Sequence, residues 1–212
     1  MNPGPDLVYQ CPNCDNLIQN NSLMSGNTFG SSLYSDGKRI APMLPEYPNL
    51  TICKKCNYIF WLNRINEIGQ YYYYGVENTK LEWVNSDQAE FLTIDEYFQA
   101  LVLDQANNNT DELFIRQNIW WLFNDRVRNG ELLFNSDDDE KKWKSNIESL
   151  LRILDVNAAN QKIFRAELYR NIGNFEKCLS LINTIEDPET DWLKQVFIKE
   201  CNIKNQKVFQ LY

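Results

Sequence analysis

Histidine is absent from all 212 residues. That removes Ser-His-Asp triads, Cys-His nucleophile pairs and HExxH metal sites. A metal site here must be built from cysteine, carboxylate or amide groups. A general base must be Asp, Glu, Lys, Tyr or a perturbed thiolate. No apolar run approaches the roughly 18 residues of a membrane span. The opening "MNPGPDLVYQ" has neither a basic nor an apolar signal region, so no signal peptide is expected. The expected compartment is the cytoplasm, where disulfides are rare. Positive charge is also scarce: 21 Lys and Arg face 29 Asp and Glu, a net −8. Such a chain repels phosphate backbones, which makes nucleic acid a poor partner. Lys38-Arg39 and Lys54-Lys55 are pairs, not a basic stripe. No complete catalytic constellation is present, which points away from an enzyme.

What is present is enough apolar material for a sizeable core, 43% hydrophobic and 13% aromatic residues, in one large or two small domains. The pattern predicts an α+β chain. Residues 1–75 are rich in turn residues and short apolar runs; "NYIFWLN" and "GQYYYYGV" read as strands, and "SDGK" (35–38) as a tight turn between "SSLY" and "RIAPML". Residues 76–92 read as a linker. Residues 93–212 read as six helices joined in antiparallel pairs. Thr93 and Glu96 have capping-box spacing for a first helix reaching about Ala106. Thr110 is the expected cap of the second, which runs to about Val127. "SDDDE" loads the start of the third with negative charge, and Trp143, Ile147, Leu150, Leu151 and Leu154 form its apolar stripe. The fourth spans about Ala158 to Ile172 and stops at Gly173. Asn174 caps the fifth, with Phe175, Cys178, Leu179 and Ile182 on one face. Pro188 opens the sixth, with Trp192, Val196, Phe197 and Cys201 expected inward. Cys178 and Cys201 read as buried free thiols.

Cys11-x-x-Cys14 and Cys53-x-x-Cys56 are separated by 38 residues. Each short loop aims two sulfurs at one point, and the second pair completes a tetrahedral shell. The position after each pair's second cysteine often needs a left-handed backbone; Asp15 and Asn57 stand there, and after glycine these residue types tolerate it best. "CPNC" and "CKKC" resemble the knuckles of zinc ribbons and rubredoxin-like folds. The resemblance implies Cys11, Cys14, Cys53 and Cys56 as ligands of zinc, with iron the alternative. Glycine commonly follows each pair in those families, so Asp15 and Asn57 are departures; together with the long insert they favour zinc. Four thiolates close the coordination shell, so the zinc would be structural.

Other features have simpler readings. "SGNTFGSS" lacks the Gly-Lys-Ser/Thr ending of a phosphate loop and reads as part of a loop and hairpin packed on the metal core. Pro42, Pro45 and Pro48 read as a rigid strap. Tyr71–Tyr74 read as core or interface aromatics. Of Trp120 and Trp121, one is expected in the core and the other against a neighbouring helix or the ribbon. Asp36, Lys38 and Arg39 read as solvated turn charges, and also as the residues an enzyme site between ribbon and helices would use. "AELYRNIGNFEKCLSLINTIEDP" (166–188) resembles one tetratricopeptide repeat, with Ala166, Tyr169, Gly173, Phe175, Cys178 and Pro188 near its small, aromatic, turn and terminal positions. A ribbon followed by such a tail is similar to bacterial proteins pairing a zinc ribbon with tetratricopeptide-like helices, and the resemblance carries no activity with it. It implies a helical scaffold for protein binding. The expected function is therefore a non-enzymatic cytoplasmic interaction module with structural zinc and a protein partner, its oligomeric state open. The alternatives are a rubredoxin-like iron redox protein and an enzyme.

Overall fold

Short β-rich runs punctuated by Asn, Gly and Pro give way to long amphipathic runs near residue 93, and the computed structural model follows that change. It describes residues 1–72, 79–103, 105–155 and 158–212. The strands are β1 (Asn2–Pro3), β2 (Asp6–Gln10), β3 (Leu17–Asn20), β4 (Leu23–Ser25), β5 (Ser32–Leu33), β6 (Arg39–Ile40), β7 (Leu50–Ile52), β8 (Ile59–Trp61), β9 (Gly69–Tyr71) and β10 (Asp87–Gln88). The helices are α1 (Leu81–Val84), α2 (Ile94–Val102), α3 (Asn109–Arg128), α4 (Asp137–Ile153), α5 (Ala159–Asn171), α6 (Phe175–Asn183) and α7 (Asp191–Asn202). The chain is α+β. No helix among the described residues is long and apolar enough to cross a membrane.

Two compact units form. The first holds Met1–Ser31 and Ile40–Gln105, the second Ser32–Arg39 and Ala106–Tyr212. This division differs from boundaries at residues 75 and 93 in two ways. The first helix of the helical half belongs with the strands, and eight residues of the insert belong with the helices.

In the first unit a four-stranded sheet runs in the order β10-β3-β2-β9. β2 and β3 form one hairpin and β7 and β8 another, both antiparallel. β10 joins β3 in parallel, so part of the expected linker is a sheet strand. All three residues of β8 are buried. Gly69 in β9 has a specific reason to be glycine: a Cβ there would come within 2.0 Å of the Trp83 ring. Tyr71 is buried and Tyr72 exposed; Tyr73 and Tyr74 lie outside the described residues. The capping box at α2 is present in full. The Glu96 amide donates to the Thr93 hydroxyl at 3.3 Å and the Thr93 amide donates to the Glu96 carboxylate at 2.7 Å. α2 ends at Val102, four residues short of Ala106, and buries Tyr97 and Ala100.

In the second unit, the N-cap of α3 is Asn108, not Thr110: its side chain accepts from the Asp111 amide at 3.0 Å. Asn supplies the acceptor as well as Thr and stands nearer the end of the preceding loop. Ser136 caps α4 above the acidic run, and Asn174 caps α6. Gly173 takes φ +78 between α5 and α6, the left-handed turn that only glycine makes at no steric cost. Ala166, Cys178, Ile182, Phe197 and Cys201 share one core. Cys178 and Cys201 are free thiols 3.5 Å apart. Trp192, expected inward, is 47% exposed. The buried stripe of α7 is Leu193, Phe197 and Cys201: Phe197 and Cys201 lie inward as expected, and Leu193 takes the place of Trp192.

The insert hairpin completes this second unit. Tyr34–Gly37 make a tight turn, the Gly37 amide donating to the Tyr34 carbonyl at 2.9 Å with Gly37 at φ +78. Beside it runs the stretch 209–212. The Leu33 amide donates to the Tyr212 carbonyl at 3.0 Å, the Leu211 amide to the Leu33 carbonyl at 2.7 Å, and the Ser35 amide to the Phe209 carbonyl at 2.9 Å. The Ser35 hydroxyl donates to Glu167 at 2.7 Å, and Glu167 is paired with Arg170 in full burial. Trp120 is the buried tryptophan of the pair; Trp121 donates its indole N–H to the Asp36 carbonyl at 3.1 Å. Its indole N–H is therefore satisfied by the insert turn, and Lys38 stands over its ring.

Candidate metal centre

The two CxxC loops have the same backbone form. In the first, at the tip of the β2–β3 hairpin, the Cys11 amide donates to the Asn16 carbonyl at 2.9 Å and the Asp15 amide to the Cys11 carbonyl at 3.0 Å. In the second, at the tip of β7–β8, the Cys53 amide donates to the Tyr58 carbonyl at 2.9 Å and the Asn57 amide to the Cys53 carbonyl at 2.8 Å. Asp15 and Asn57 stand at φ 58 and 59, the left-handed conformation expected of them. That one residue in each loop reverses the chain and leaves both sulfurs on the same side.

The loops bring all four sulfurs within 4.8 Å of one another. Cys11 and Cys56 are 3.7 Å apart, as are Cys14 and Cys53. All four are free thiols; a disulfide would close the gap to about 2.05 Å. Four sulfurs held about 2.3 Å from a central zinc stand about 3.8 Å apart at the corners of a tetrahedron. The two 3.7 Å spacings match that shell, and all four sulfurs lie within 4.8 Å of one another. Among the described residues this is the one cluster of three or more Cys, Asp or Glu groups placed to hold an ion.

The environment is unequal. Cys11 and Cys53 are buried, and Cys14 and Cys56 lie half-buried at the edge. Burial pushes the Cys11 thiol up to about 12, against the pull of the Asn13 and Cys14 amides. The Asn13 side chain, reaching across from the first loop, is the chief cause that holds Cys56 down to about 6.

Residues 87–90 clamp both hairpins, and no local sequence pattern announced it. The Asn16 side chain donates to Asp87 at 2.8 Å. The Thr51 hydroxyl donates to the Glu90 carbonyl at 2.9 Å, and Lys54 pairs with the Glu90 carboxylate at 2.6 Å. Ala89 joins Cys11, Ile18, Cys53, Phe60 and Leu62 in the apolar core beneath the sulfurs.

The other candidate charges are placed elsewhere. Asp36 lies in the second unit against Asn124 and Arg128. There Lys38 pairs with Asp125, and Arg39 donates to the Tyr212 hydroxyl at 2.9 Å. Each is engaged in the second unit, so the expectation of solvated turn charges fails for Asp36, whose side chain has no exposure. Comparison with protein-family models, with curated proteins and with solved structures finds no match.

Proposed function

We propose that Cys11, Cys14, Cys53 and Cys56 hold one zinc ion that stabilises the first unit, and that the protein is a non-enzymatic scaffold for a protein partner. The observation that carries the metal reading is the pair of matching loops, each with its reversed residue, converging on four sulfurs at tetrahedral spacing. Four thiolates leave no position for water or substrate, so the ion would contribute folding free energy rather than chemistry. The short helix pair α5–α6, turning at Gly173, supports a tetratricopeptide-like second unit, and helical arrays of that kind recognise proteins.

Elemental analysis of untagged protein, purified without added metal from more than one growth medium, tests the reading. Zinc near one per chain is expected, with loss of order in the two loops on chelation. Iron that persists when zinc is plentiful would replace it with a redox reading. Metal-free protein with four reactive thiols would overturn it.

A further inference from the structure

The second unit contains a cavity of about 190 Å³ that the metal reading leaves unused. Its walls include Leu33 from the insert hairpin, Ile163 and Phe164 from α5, Trp192 and Leu193 from α7, and Leu211 near the C-terminal end. The turn Tyr34–Gly37 closes one side. We propose that this cavity binds a small, uncharged, single-ring molecule.

Size selects one ring. An apolar cavity of roughly 150 Å³ stays dry and accepts benzene, whereas drug-sized ligands need about 300 Å³ or more. The walls are ordered by contacts outside the cavity. Phe164 meets Trp120 edge-on at 4.9 Å. Trp192 leans on Tyr212 at 6.4 Å, and Tyr212 is in turn covered by Arg39 at 5.7 Å. A tryptophan that is both half exposed and part of the wall places the mouth beside it.

Charge excludes ions. Among the described residues Asp36 is the one carboxylate on the wall, and both its oxygens are engaged: Oδ1 accepts from the Lys38 amide, and Oδ2 accepts from Asn124 and Arg128. A charged ligand would lose its hydration without gaining a counter-charge, at a cost an apolar ring does not meet. The cavity lies where four segments remote in sequence converge, so an occupant would bind them to one another.

Toluene is the probe, with benzoate and benzylammonium as its charged counterparts, on the full-length metal-loaded chain. Saturable shifts are expected in the methyl resonances of Ile163, Leu193 and Leu211. At ten times the dissociation constant the unfolding temperature should rise by roughly 3–6 °C. The charged rings should give neither effect. Leu211→Trp fills the space and should abolish the shifts while circular dichroism stays native; Ile163→Phe is the second filling variant if the first does not fold. Absence of saturable shifts up to the solubility limit of toluene would overturn the proposal. So would equal binding of benzoate, or unchanged binding in a folded, filled variant.

Discussion

Asp36 carries its carboxylate at zero exposure, with the Arg128 side chain beside it at 4%. Burial pushes the Asp36 carboxyl upward, and Arg128, Asn124 and the Lys38 amide pull it back. Removing Asp36 takes one of two carboxylate partners from the buried Arg128, which keeps its pair with Asp125 at 2.6 Å. Asp36→Ala should therefore cost less than the roughly 3–5 kcal/mol of a fully stranded charge, about 1–3 kcal/mol in urea unfolding. Asp36→Leu combined with Arg128→Met should cost much less, because no charge is stranded. At the metal loops the governing quantity is backbone conformation. Asn57→Val should lose roughly 1–2 kcal/mol, the penalty of a left-handed residue with a side chain poorly suited to it; Asn57→Gly should lose nothing. Thermal unfolding of the metal-loaded variants reads both. The left-handed positions were legible in sequence because the reason is local: four residues decide where a CxxC loop must reverse. The fate of Asp36 was not legible. Its partners stand 88 and 92 residues away, and nothing near "SDGK" distinguishes a buried aspartate from a solvated one.

Elements sort by the same distinction. The caps at Thr93 and Asn174 were readable because donor and acceptor lie within three residues. On α7 the inward Phe197 and Cys201 were readable; the first inward residue was not, since Trp192 and Leu193 are both apolar and tertiary packing alone chose between them. β10 escaped notice because two residues in parallel pairing carry no periodicity. At the start of α4 the acidic run has a testable consequence. Asp139 accepts from the Asn135 amide at 2.9 Å and from Arg126 at 2.7 Å, and the amide, foremost, holds its carboxyl below the usual range. A carboxyl depressed in the folded state contributes stability that is complete above its unfolded pKa and is lost as pH falls through the folded one. Wild type should exceed Asp139→Asn in stability at neutral pH. The gap should close as pH drops below about 4. A gap that stays constant down to pH 2 would mean the charge contributes nothing.

For the whole molecule, the chain passes between its two units three times, near residues 31, 39 and 105. The helices of the second unit therefore depend on a segment encoded between the two cysteine pairs. Replacing residues 32–39 with a Gly-Ser linker should leave metal stoichiometry unchanged. It should also expose the buried Glu167 and Arg170 pair and lower the unfolding temperature of the helical signal. Amide exchange across α3 and α5 should quicken, and that of β2, β3, β7 and β8 should not. A two-domain reading cut at one linker predicts no such effect. During synthesis this arrangement imposes a wait. Ser35 bonds to Phe209, 174 residues later, and at about 5–20 residues per second the hairpin emerges roughly 9–35 s before its last neighbour exists. Asp36 gains Asn124 and Arg128 about halfway through that interval and Ser35 gains Glu167 later, while the strands of the first unit, complete by residue 105, can form before either. Of the segments that seat the hairpin, residues 209–212 are made last.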